Sequence, residues 1–258
     1  MTLRVNSIEE ARVLAHARLN PAPIIKMLGV SATVVLSMIL IDMVVKSRPN
    51  AEALMAAHPW LLADLLHIPQ FVIPFFVIWH VSRGRLGTYG FSLRQDSHLT
   101  HRRVLLIGLA FGLAMSLRYI PEIVRTGGVD IRQPVTAVNV IGHLTFQWLV
   151  VGLSEETLFR GLIQTYLMKN LQGHVRLAGH DFLAGTVVGA FFWGAFHFMN
   201  LLIMPIGPVI FLVVLTTAIG LILGYAYQLT GSLLTTIIMH STVVAVPVTV
   251  GYVLHWLL

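Results

Sequence analysis

Apolar residues fill most of this chain in runs of about 18 or more, the length that crosses a hydrocarbon core about 30 Å thick. Read as helices, the runs fall at about 24 to 45, 60 to 82, 103 to 120, 136 to 168, 183 to 203, 208 to 228 and 232 to 257. The pattern predicts an all-α fold, a polytopic integral membrane helical bundle of seven to eight transmembrane helices. The fourth run is too long for a perpendicular crossing, so its last part, from Glu155 onward, is expected to lean, kink or emerge at the interface. Pro247 and Gly251 lie inside the last run and could divide it, which would make the eighth segment. Ahead of the first run, Ser7 and Glu10 read as a capping box opening a short amphipathic helix that stops near Pro21. The chain then divides into an amphipathic cytoplasmic segment at 1–23, N-terminal membrane helices over 24–130 and a membrane core over 131–258. No internal repeat or low-complexity segment is visible.

Composition agrees. Of 258 residues, 56% are hydrophobic and 11% charged, where an ordinary soluble domain has roughly 25% charged. The formal charge of +6 could suggest nucleic acid as a partner. The basic residues lie in short loops between apolar runs, however, so a positive-inside bias accounts for them and no nucleic-acid partner is expected. With seven helices, eleven basic residues fall on the side of the N-terminus: Arg4, Arg12, Arg18, Lys26, Arg83, Arg85, Arg94, Arg102, Arg103, Lys169 and Arg176. Five fall on the other: Lys46, Arg48, Arg118, Arg125 and Arg132. The N-terminus is therefore expected in the cytoplasm, with the candidate site below opening to the same side. The absence of cysteine excludes a disulfide framework, a zinc-thiolate site and a thiol nucleophile. With the short loops, it suggests a bacterial inner membrane.

Charged side chains inside a membrane helix cost about 2.5 to 3.5 kcal/mol each on insertion scales, so they face partners or a wet cavity. Four polar groups interrupt the apolar runs. Glu155, Glu156 and Arg160 stand in SEETLFRG, with Glu156 and Arg160 at i and i+4 on one helical face and Glu155 turned about 100° away. Trp193, His197 and Asn200 share a face in FFWGAFHFMN, where small Gly194 and Ala195 permit close helix approach. His240 lies in LLTTIIMHSTVV, and His143 and Gln147 stand at i and i+4 early in the fourth run.

The first three groups together suit hydrolysis of a peptide bond in the membrane, which needs an activated water, an oxyanion partner and a polar pocket. A desolvated carboxylate is a stronger base, suited to such work. Glu155 and His197 could share the water. His240 could donate to the oxyanion, or ligate a divalent metal such as zinc together with Glu155 and His197. The helical zinc-protease motif HExxH is absent.

These residues resemble the CPBP intramembrane proteases, the CAAX-protease and bacteriocin-processing or Abi family. The family's Glu-Glu-x-x-x-Arg is matched by Glu155, Glu156 and Arg160. Its Phe-x-x-x-His is matched at His197, with Trp193 in the aromatic position, and its last histidine at His240, with Val244 where some members place asparagine. The GFSLR stretch between the second and third helices also resembles a family feature. The resemblance implies a helical membrane endopeptidase of the metallo or glutamate type acting on membrane-embedded or membrane-anchored proteins and peptides. Glu155 and His197 would activate water and His240 would help form the oxyanion site. Glu156 and Arg160 would support it, and Asn200 could supply a polar group that Val244 lacks.

Two other function classes stay open: a non-catalytic bacteriocin-immunity or binding protein on the same fold, and a proton-coupled transporter using Glu155 and the histidines as a relay. Glu156 with Arg160 also reads as a plain helix-stabilising ion pair. His143 and Gln147 read as polar contacts between helices. His67, His80, His98, His101, His174 and His180 are placed near loops or helix ends and carry no site hypothesis.

Overall fold

The computed structural model describes residues 21–92, 99–131 and 133–258. The proposed amphipathic segment and its capping box therefore lie almost wholly outside the described residues. Among the described residues seven helices are long and apolar enough to span a membrane: α1 (Ala22–Lys46), α3 (Pro59–Ser82), α4 (His101–Thr126), α5 (Ala137–Asn170), α6 (Ala184–Leu202), α7 (Ile206–Thr230) and α8 (Leu233–Leu257). A short helix, α2 (Ala51–Ala57), joins the first two spans. A hairpin of β1 (His174–Leu177) and β2 (His180–Leu183) joins α5 to α6, turning through Ala178 and Gly179 with positive φ at both. The protein is an all-α polytopic membrane bundle. The last apolar run is one helix with Pro247 inside it, so seven spans and not eight are described.

The chain weaves between two faces, each tied by contacts that the sequence order allows. On the first face the ends of α3, α5, α7 and α8 meet. Lys169 Nζ donates to Thr88 O at 2.8 Å, Leu233 N to Gly90 O at 2.9 Å and Leu183 N to Gln228 Oε1 at 3.0 Å. Gly90 has φ +88°, and an added Cβ would lie 2.5 Å from the Tyr227 hydroxyl. Glycine therefore lets the Gly90–Ser92 turn lie close against α7 and α8, and Ser232 Oγ adds a bond to Ser92 O at 3.0 Å. On the second face Asn139 Nδ2 donates to Ala57 O at 2.8 Å, and the Trp60 indole donates to Asn139 Oδ1 at 3.1 Å.

Helix α5 is the axis of the bundle. Its 34 residues would reach about 50 Å at 1.5 Å each, well beyond the hydrocarbon thickness. Its later part, expected to lean, kink or emerge at the interface, is enclosed by other helices: every residue from Glu156 to Thr165 is buried. Leu158, Phe159, Leu162, Ile163 and Leu167 form the core against Met27, Ile78, Trp193 and Leu223 from the surrounding helices. A helix apolar on all sides is one surrounded by others, and its few polar groups here find internal partners. Small residues bring the outer helices close. A Cβ on Gly108 would stand 2.8 Å from Thr242 Cβ and one on Gly112 2.6 Å from Val246 Cβ, which packs α4 on α8. Gly194, anticipated as a point of close approach, lies where a Cβ would be 1.8 Å from Thr217 Oγ1 of α7.

Candidate active site

The two adjacent glutamates sit on a single regular α turn of α5, Val151–Glu156, bracketed by wide π turns at Phe146–Val150 and Thr157–Gln164. Such turns often mark functional sites in helices, because they leave carbonyls to be satisfied from outside the usual pattern. Thr165 Oγ1 takes one of these, donating to Arg160 O at 2.8 Å.

Glu156 faces the interior. It is fully buried, and its Oε1 accepts from Arg160 Nη1 at 2.9 Å and pairs with His240 Nδ1 of α8 at 2.8 Å. A carboxylate only accepts, so Nδ1 of His240 carries the proton in this contact. The Arg160 guanidinium lies 4.4 Å over the Trp193 ring and donates to Gly220 O of α7 at 3.4 Å. The ion pair expected from the i, i+4 spacing is present, and it also holds a histidine from another helix.

Glu155 faces the other way. Its Oε2 accepts from the Trp193 indole N–H at 2.6 Å, and its Oε1 lies 3.5 Å from His67 Nε2 of α3. The Trp193 ring in turn packs edge-on against His240 at 5.2 Å between centroids. Trp193, which stands where the resembling motif has Phe, thus supplies an N–H that Phe could not. His197 Nδ1 meets Trp193 O at 2.9 Å, and Asn200 Nδ2 donates to His197 O at 2.9 Å.

Glu155, His67, His197 and Asn200 line one cavity of about 620 Å³, with apolar walls from Leu62, Leu66, Phe196, Met199 and Leu212. The cavity extends to Asp42 and Lys46 at the end of α1 and to Leu202 and Ile203 beyond α6. Its mouth is therefore on the second face, opposite the start of α1.

His240 is not among the residues lining the cavity, and it reaches the site through Glu156 and Trp193. Among the described residues no group of three His, Asp or Glu side chains is placed to hold a metal ion. The donors have other partners: Glu155 Oε2 is taken by Trp193, and His240 Nδ1 by Glu156. Glu155, His197 and His240 are not brought together as such a group. His143 joins a separate polar cluster on the second face with Gln133 and Tyr252, as a helix-to-helix contact.

Sequence reading set His67 aside as lying near a helix end. It lies well inside α3, and Asp64, His67 and Gln70 recur there at intervals of three. That polar stripe in an apolar run was the available signal.

A membrane bundle with a paired carboxylate at its centre and histidines around it is the architecture on which the comparison with known families bears. Residues 137–246, covering most of α5 to α8, match the family model described as Type II CAAX prenyl endopeptidase Rce1-like. The match spans 110 of the 258 residues and is to the CAAX protease kind of family that the motif resemblance implied. No curated protein and no solved structure matches the chain.

Proposed function

We propose that this protein is an intramembrane endopeptidase of the glutamate type, cleaving membrane-embedded or membrane-anchored proteins or peptides. The observation that carries the reading is Glu155. Its carboxylate is fixed on one oxygen by Trp193 and presented on the other to a cavity shared with His67 and His197. A base must be positioned within reach of the water it activates before its basicity matters, and this carboxylate is held on a rigid helix at the centre of the bundle. His197 forms the cavity wall opposite α3 and orients the peptide or water there. His240, held through Nδ1 by Glu156 and packed edge-on against Trp193, supports the oxyanion side of the site from behind the cavity wall. Val244 offers no amide, and Asn200 on the cavity wall is the amide that stands in for it. Apolar walls and a charged mouth of Asp42 and Lys46 suit a peptide whose anchor stays in lipid, a prenylated one included.

The excess of basic residues expected on the side of the N-terminus supports a cytoplasmic first face. The cavity mouth then opens to the non-cytoplasmic side of a bacterial inner membrane. The testing experiment incubates purified protein in lipid with candidate membrane-anchored substrates, with and without chelator, beside a Glu155→Gln variant. Cleavage that survives chelation and is lost in the variant is expected. Full cleavage by Glu155→Gln overturns the reading.

A further inference from the structure

His67 has an environment that packing alone does not explain. Its Nδ1 lies 2.7 Å from Ala63 O, one turn back on α3. A carbonyl only accepts, so Nδ1 carries a proton and, in the neutral ring, Nε2 carries the lone pair. The ring is held edge-on against Phe146 of α5 at 4.9 Å between centroids. Nε2 is buried, has no hydrogen-bond partner among the described residues and points at Glu155 Oε1 across 3.5 Å. With the ring neutral, two acceptor atoms stand 3.5 Å apart beside the cavity, and a single donor lying to one side of the pair satisfies both. The other oxygen of Glu155 is already occupied by Trp193, so Oε1 is the one free to work.

We propose that His67 is a catalytic residue, whose Nε2 and Glu155 Oε1 together hold the water that attacks the scissile carbonyl. The inference rests on the peptidase reading of the cavity. One water at about 2.8 Å from each atom donates one O–H to Nε2 and the other to Oε1, which turns its lone pair toward the cavity. The water oxygen then bonds to the carbonyl carbon while the proton facing Oε1 passes to Glu155, and the carbonyl π pair moves onto its oxygen. As the tetrahedral centre collapses, the C–N bond breaks and the proton passes from Glu155 to the departing nitrogen. The products are a carboxylic acid and an amine, and Glu155 returns to its carboxylate. His67 holds its hydrogen throughout, fixing the direction of attack.

The test compares wild type, Glu155→Gln, His67→Gln and His67→Ala in lipid, with kcat and KM measured separately and folding checked by melting. His67→Ala is expected to lose at least about 10-fold to 100-fold in kcat with KM within about twofold. Added imidazole is expected to restore part of the rate, which a merely structural histidine would not show. His67→Gln, which can still accept from a water, is expected to fall between. If Glu155→Gln is inactive and folded His67→Ala keeps wild-type kcat, His67 is not catalytic and the peptidase reading stands. If wild type itself does not cleave, ring 15N spectra decide. The His67 resonances, assigned by their loss in His67→Gln, are expected to shift in Glu155→Gln, and their failure to move overturns the pairing.

Discussion

Replacing Glu156 by Gln removes one charge at the centre of the bundle while keeping its shape. Arg160, 1% exposed, would keep only Gly220 O at 3.4 Å, a neutral amide oxygen and the face of Trp193 as partners. Breaking one side of a buried ion pair costs about 3–5 kcal/mol, because the remaining charge is left uncompensated. At about 1.4 kcal/mol per decade this lowers the folded-to-unfolded ratio by about 10²- to 10⁴-fold. The same change loosens His240, whose Nδ1 shares that carboxylate oxygen, so activity should fall with stability. Equilibrium unfolding in mixed micelles measures the first, and cleavage below the melting temperature the second. The control is Glu156→Leu combined with Arg160→Leu, which removes both charges and should return to within about 1–2 kcal/mol of the parent, since apolar replacements of buried pairs are often neutral. A Glu156→Gln protein less than about 1 kcal/mol below the parent would refute the claim that this carboxylate holds the core.

Two further outcomes are specific to this chain. Trp193→Phe keeps a ring beneath Arg160 and beside His240 but removes the 2.6 Å bond to Glu155. A hydrogen bond to a charged group contributes about 1.5–3 kcal/mol, so kcat should drop about 10-fold to 100-fold with the fold intact, as read by kinetics beside a melt. Because the chain has no cysteine, single replacements report sidedness cleanly. Ile203→Cys at the cavity mouth should react with a membrane-impermeant maleimide on intact cells, and Arg176→Cys on the hairpin should react only after disruption; the reverse pattern would invert the orientation.

The spans were legible because the bilayer demands them: each apolar run became a helix within a few residues of its expected ends, apart from the third. There Leu117–Tyr119 form a tight turn and the helix resumes through Thr126. The expected run stopped at residue 120, whereas at the second face charged side chains such as Glu122 and Arg125 can reach water without ending the helix. The hairpin at 174–183 was not anticipated either, since four-residue strands carry too little pattern to stand out. The later part of α5 was read on length alone. A long run can tilt or emerge, but it can also be enclosed, and only the packing of its neighbours decides between these outcomes.

The candidate site shows where helical geometry alone stops. The spacing of Glu155, Glu156 and Arg160 separated the two carboxylates correctly, because i and i+4 lie on one face whatever surrounds them. It could not say which carboxylate a histidine from another helix would meet. His240 meets Glu156, and it is Trp193 and His67 that meet Glu155. The division of labour is therefore set by tertiary contacts: α8 and Arg160 neutralise the inner carboxylate, while α3 and α6 position the outer one at the cavity. The substitution of Trp for Phe in the aromatic position reads in sequence as a departure from the motif, and in the structure it is the donor that fixes the base.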